Sequence, residues 1–182
     1  MNILDEHMTD LRYPIGRFQV QPVANDDQRL QCIRDIAETP ARLRAAVRGL
    51  SDQQLDTPYR PDGWTVRQVV HHLPDSHLNA YIRFKLAMTE EEPAIKTYIE
   101  SEWAQLPDAR TAPIDISLTL LESLHQRWVL FLETLTQTDL QRKFHHPDHG
   151  LMNLEFLLRL YSWHGRHHVA HVTTLRERMG WN

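Results

Sequence analysis

The 182-residue chain predicts an all-α fold, a four-helix bundle. Two observations carry this. Four long stretches place apolar residues three and four positions apart, the spacing of one helix face. Strand-like alternation is scarce, and six glycines are few for a turn-dense all-β fold or a glycine-rich nucleotide loop. Amphipathic helices with little strand between them bury their stripes most simply against one another.

Residues 1–25 read as an extended arm, with Pro14, Gly16 and Pro22 and no period. Such an arm is expected to be disordered or pinned across a neighbouring subunit. A first helix spans about Asp26 to Gly49, with Leu30, Ile33, Ile36, Ala37, Leu43 and Val47 as its stripe. Pro40 is expected to kink or split it, because proline lacks the N–H that a helix interior uses. Ser51 opens a short helical turn, SDQQL, and TPYRPDG is a loop. The second long helix has a marked start in GWTVRQVV: Thr65 is the N-cap, Gln68 completes a capping box, and Trp64 and Val69 form a hydrophobic staple. It should reach about Met88, with a kink at Pro74. Residues 90–113 are polar, with one helical turn around Trp103. The third long helix, Asp115 to Leu135, carries Leu118, Leu121, Leu124, Trp128 and Leu132 on one side. Residues 142–152 form a small hairpin or loop. The fourth long helix runs from Asn153 to Met179, and Gly180 is its natural stop. The whole chain reads as one domain.

Composition narrows the partners. The net charge of −4 is mixed along the chain, and no basic stripe suggests nucleic acid. No apolar run is long enough for a membrane span. The N-terminal stretch is too acidic for a signal peptide. One cysteine, Cys32, suits a reducing compartment, so a cytoplasmic location and a small-molecule substrate are expected. It lacks basic neighbours and reads as a packed thiol.

Histidine stands out, with 12 residues. WHGRHHVAHV, residues 163–172, holds four of them on the last helix. At about 100° per residue, His168 falls in the middle of the apolar stripe made by Leu154, Leu157, Tyr161, Val172, Leu175 and Met179. His164 lies on its inner edge, His171 close to His164, and His167 further toward solvent. His164 and His168 are spaced i, i+4, so both rings can reach one metal ion. Gly165 stands where an HExxH protease motif needs Glu. Buried imidazoles need hydrogen-bond partners or a metal, because an unpaired buried polar group costs about 1–3 kcal/mol. A catalytic zinc takes three protein ligands, so a third is sought on a facing helix. HHLPDSH offers His71, His72 and His77. His77 points to the centre of its apolar side, His72 to the margin and His71 away, which leaves His77 and His72 as rivals. Asp75, one turn from His72, could accept its second N–H. His145, His146 and His149 crowd the hairpin, and His7 and His125 carry no argument. No Ser/His/Asp pattern specifies nucleophilic catalysis, so the catalytic residues are unknown.

YPIGRF, LDTPYRPDGWTVRQVVHHLPDSHLNAYIRFKLAMTEE, KFHHPD and LYSWHGRHHVAHVTTLRERMGW together resemble the YfiT-type proteins of the DinB-like superfamily. The match runs from residue 11 to the end, and Pro74 is a departure from it. The resemblance implies a four-helix bundle with a divalent metal, zinc with nickel as the alternative, one per subunit. It implies His72, His164 and His168 as the ligands, and it overrules the mild preference for His77. The implied activity is that of a metal-dependent hydrolase. The superfamily also implies, as an alternative, transfer of low-molecular-weight thiols to electrophiles. Both use a three-histidine site with an open position to acidify water to a pKa of about 7, or a bound thiol. A non-catalytic metal-binding bundle is the remaining alternative. The resemblance, the apolar arm residues Tyr13, Ile15 and Phe18, and Val129 and Phe131 beyond the inner stripe of their helix suggest a homodimer.

Overall fold

The computed structural model describes residues 10–20 and 25–181. In chain order they form α1 (Asp26–Val47), α2 (Asp52–Leu55), α3 (Val66–Thr89), α4 (Glu100–Trp103), α5 (Pro107–Thr111), α6 (Ile114–Thr134), a 3-10 turn (Asp139–Gln141), strands β1 (Lys143–His146) and β2 (Gly150–Asn153), and α7 (Leu154–Met179). The four long helices α1, α3, α6 and α7 make the predicted bundle. None of the described helices is long and apolar enough to cross a membrane.

Packing fixes an unusual order. α1 packs on α6 and α7, and α3 packs on the same two. α1 therefore lies diagonally opposite α3, and α6 opposite α7, while the consecutive pair α3 and α6 are neighbours. Pairings give the directions. Asp35 meets Ser162 and Ala46 meets Arg176, so α1 and α7 are parallel. His71 meets Ser117 and His77 meets His125, so α3 and α6 are parallel. Ser76 meets Tyr161 while His72 meets His168, so α3 and α7 are antiparallel.

Local chemistry explains the ends. Thr65 caps α3 through the Gln68 N–H, and the Gln68 side chain accepts the Thr65 N–H at 2.9 Å. Ser51 and Gln54 make the same box on α2, and Asn153 caps α7. Gly180 ends α7 in the left-handed region, at φ 64°, where glycine pays no Cβ penalty. Val69 is buried and Trp64 packs against the same apolar cluster, as a staple would. β1 and β2 pair antiparallel, Lys143 opposite Asn153.

Several expectations are corrected. α1 is not split at Pro40; α1 and α3 each continue as one helix through Pro40 and Pro74. Both prolines are buried, and at Pro40 the reason it is tolerated is visible. The carbonyl of Ile36 would take the missing N–H of residue 40, and it accepts the His125 Nδ1–H at 2.6 Å instead. Leu30, Ala37 and Met179 are exposed, not part of the stripes. Residues 90–113 form two short helices, the second started by Pro107, whose fixed φ suits a first turn. Residues 1–9 and 21–24 of the predicted arm lie outside the described residues. Residues 10–20 lie along α7 of their own chain. The Arg12 carbonyl meets His171, Tyr13 packs by His167, the Gly16 carbonyl accepts from Trp163, and Phe18 packs on Phe156.

The core is split. One apolar cluster gathers Ile33, Ile36, Phe84, Trp128, Leu157 and Tyr161; the other gathers Leu43, Val66, Val70, Leu121, Val172 and Leu175. On every long helix polar or small residues stand near the junction of the two clusters. They are Thr39 on α1, His72 and His77 on α3, His125 on α6, and His164, Gly165 and His168 on α7. A layer of histidine thus crosses the middle of the bundle.

Candidate metal centre

The structure brings His72, His164 and His168 together: each offers a ring nitrogen, and these nitrogens lie within 4.8 Å of one another. His72 comes from α3, and the other two are one turn apart on the antiparallel α7. His72 and His168 are buried, and His164 keeps part of its surface open. His72 Nε2 and His164 Nε2 are 3.4 Å apart. Two tetrahedral zinc ligands, each about 2.0–2.1 Å from the metal, stand about 3.3 Å apart. His168 Nδ1 is buried and has no hydrogen-bond partner. The Trp64 ring packs 4.7 Å from His72 and lies nearly parallel to His168 at 6.4 Å, so the group has an aromatic wall.

Burial governs the charge states. It lowers the His72 pKa to about 4, helped by nearby His171, and pushes His164 and His168 well below the ordinary value of 6.5. The rings are therefore neutral near pH 7, which is the form that binds a metal. The donor set of three neutral imidazoles fits zinc, and also nickel.

His77 is not in the group. It is fully buried, and both its nitrogens are taken: Nδ1 meets His125 Nε2 at 2.7 Å and Nε2 meets His164 Nδ1 at 3.1 Å. His125, which the sequence left without an argument, is also buried and stacks on His77. Its spacing from Leu121 and Trp128 places it on the inner face of α6, so the signal was present in the periodicity.

Of the other candidates, His71 and His167 fall differently from expectation. His71 does not point away: α3 packs on α5 and α6 there, and His71 bonds Ser117 Oγ at 2.7 Å and the Ala112 carbonyl at 3.1 Å. His167 is buried rather than solvent-facing, because Trp163 stacks on it at 4.2 Å and the arm covers it. His171 is buried against Tyr59, which stacks on it at 3.9 Å. Its Nε2 donates to the Arg12 carbonyl at 3.2 Å, so its buried Nδ1 is a bare acceptor with no partner. No hydrogen bond joins Asp75 to His72; half-buried Asp75 has its pKa raised to about 6 by burial, with repulsion from Asp108 adding to it. His145 and His146 sit on the hairpin, against Glu92 and His149, outside the group. Cys32 is a half-buried thiol whose pKa burial raises.

Two features hold the helices that carry the three histidines. Arg67, buried at the start of α3, bonds Asp56 at 2.7 Å, Asp52 at 2.9 Å and the Ala112 carbonyl at 3.1 Å. It ties α3 to the segments on both sides. Gly165, between His164 and His168, lets α1 approach. A Cβ there would fall 2.8 Å from Thr39 Cγ2 and closer still to Thr39 Oγ1. A glutamate at this position, as in HExxH, has no room. Gly165→Ala is expected to destabilise the fold by about 1–3 kcal/mol through overpacking, despite the better helix propensity of alanine. In thermal denaturation Tm should fall by several degrees, and adding Thr39→Ala should recover part of the loss. A Gly165→Ala variant as stable as the parent would contradict the close approach.

The comparisons with known proteins follow the geometry. The family model described as "DinB superfamily" matches residues 35–172. Relatives from Bacillus mycoides (strain KBAB4) and Bacillus anthracis are 53% identical over 174 residues, covering 96% of this chain and all of theirs. One from Bacillus cereus (strain ATCC 10987 / NRS 248) is 52% identical with the same coverage. All three are provisionally named metal-dependent hydrolases. YfiT from Bacillus subtilis, a solved structure described as "a probable metal-dependent hydrolase with an unusual four-helix bundle topology", superposes with a TM-score of 0.92 at 51% identity. The match covers 96% of this chain and all of YfiT. By the family model, by identity along nearly its whole length and by fold, this chain belongs to the DinB superfamily.

Proposed function

We propose that this chain is a metal-dependent hydrolase in which His72, His164 and His168 hold one zinc ion and the substrate is a small molecule. The observation that carries the reading is the convergence of three buried-layer imidazoles from two helices, with ligand atoms within 4.8 Å. Among the described residues no fourth His, Cys, Asp or Glu joins that group. Three protein ligands with a position left open is the pattern of a catalytic zinc rather than a structural one. When bound, such an ion supplies Lewis acidity and a water acidified to a pKa of about 7. The chain's own residues do the rest. Trp64 shields two of the rings from bulk water, and the partly open His164 marks the side from which a substrate arrives. His171 Nδ1 offers a buried acceptor beside the group. The names of the relatives support hydrolysis. A cytoplasmic homodimer accompanies this reading; exposed Ile116, Leu120 and Leu130 on α6 offer it an apolar face, while Val129 and Phe131 pack against the core.

The test is a substrate panel of esters, amides, phosphoesters and electrophiles. It uses untagged protein, metal-loaded or stripped by a chelator, with and without low-molecular-weight thiols. Metal-dependent hydrolysis without thiol is expected. Consumption of an electrophile only when thiol is present would replace the hydrolase with a thiol transferase. No metal-dependent turnover in any arm would overturn the enzymatic reading.

A further inference from the structure

A chain of hydrogen bonds crosses the bundle and ends on a proposed ligand. It starts at the Ile36 carbonyl, which Pro40 leaves without its helical donor. It passes through His125 at 2.6 Å, then His77 at 2.7 Å, and reaches His164 Nδ1 at 3.1 Å. The direction of each bond follows from the first. A carbonyl oxygen only accepts, so His125 Nδ1 carries the proton and, the ring being neutral, His125 Nε2 is bare. His77 Nδ1 must then donate to it, which leaves His77 Nε2 bare. His164 Nδ1 must donate in turn, and His164 Nε2 is left as a lone pair, 3.4 Å from His72 Nε2. Neutrality is imposed by the surroundings. His77 is fully buried, and its ring neighbours are His125, Trp128, Tyr161 and His164, with no carboxylate among them. A cation there would be unpaired.

We infer that His77 and His125 are positioning residues that fix the His164 tautomer, so that Nε2, the atom facing His72, is held ready as a metal donor. The inference rests on the three-histidine reading above. It also gives a use to two buried histidines and a mid-helix proline that the ligand set leaves unexplained. The rigidity of the relay is physical: each ring is stacked or edge-packed on a neighbour, and reversing one tautomer would set two donors or two lone pairs against each other along the line. Residues that orient a ligand from behind typically change metal affinity by about 10–100-fold when removed.

The test begins with metal-free wild-type protein at pH 7.5, labelled with 15N. Long-range 1H–15N correlation of the imidazoles should find His125, His77 and His164 all protonated on Nδ1. A proton on His164 Nε2 would overturn the proposal. Zinc affinity is then measured by chelator competition. His125→Leu, which touches no ligand, should bind zinc 10–100-fold more weakly and release the His77 tautomer. His125→Gln, which keeps a donor and an acceptor, should recover most of the affinity. Unchanged affinity in a folded His125→Leu variant would refute the role. If that variant fails to fold, the wild-type tautomers and the glutamine variant decide the matter. A wild type with these tautomers that binds no zinc would sink the metal reading while leaving the hydrogen-bond chain intact.

Discussion

His168→Ala is expected to weaken zinc binding by about 100-fold or more, beyond the roughly tenfold to 100-fold effect of an outer residue, while His167→Ala leaves it largely unchanged. The two are neighbours in sequence but about 100° apart on α7. His168 faces His72, with ring centroids 4.8 Å apart, and its removal leaves two ligands, too few for a tight zinc site. His167 is buried too, but it is covered by Trp163 and Tyr13 and does not join the three-histidine group. Burial alone therefore does not separate them; direction does. His72→Ala should match His168→Ala, and His77→Ala should be milder because it removes an orienting bond rather than a ligand. Titration with a chelator of known affinity, alongside circular dichroism to show an intact fold, makes the comparison. Equal losses for His167→Ala and His168→Ala would refute the assignment, as would metal kept in His72→Ala and lost in His77→Ala.

The metal-free protein should also lose stability as the pH falls from about 6.5 toward 4. Burial lowers the His125 pKa to about 4, against its bond to the Ile36 carbonyl, which works to raise it. In the unfolded chain the same group titrates near 6.5. Between those values the unfolded state binds the proton and the native state does not, so stability rises with pH across the window and is lost on acidification. At about 1.4 kcal/mol per pKa unit, His125 alone contributes on the order of 3 kcal/mol. His72, His77, His164 and His168 are shifted the same way by burial. A domain with roughly 5–15 kcal/mol in total cannot absorb several such losses. Urea unfolding at pH 7.5, 6.0 and 5.0 should give a midpoint that falls steeply over this range. A midpoint that stays flat would mean that the histidine layer is open to water or already charged in the native state.

The helices were legible because their signals are local. Thr65 with Gln68 and Gly180 after Met179 mark ends by chemistry that a few neighbouring residues complete. The inward direction of His164 and His168 was legible for a similar reason, since a helix fixes angles about its own axis. What the wheel does not contain is the facing element. His71 lies off the apolar side of α3, yet it is buried because α5 and α6 cover that side. His167 is buried because a segment more than 140 residues earlier in the chain crosses it. His77 differs from His72 in having both ring nitrogens engaged, and one of the partners that engages it, His125, sits on another helix. Pro40 read as a kink or a split because its lost hydrogen bond was visible in the sequence, whereas the replacement donor, His125, was not. Gly165 read as a missing glutamate, and its steric reason, Thr39, belongs to α1.

The most direct test of the account is the metal content and coordination of the chain purified without a histidine tag. Elemental analysis should find about one zinc per chain, with X-ray absorption fitting three imidazole nitrogens and one or more light ligands from solvent. Protein that carries no divalent metal and takes none up, or a metal enclosed by four protein ligands, would contradict it.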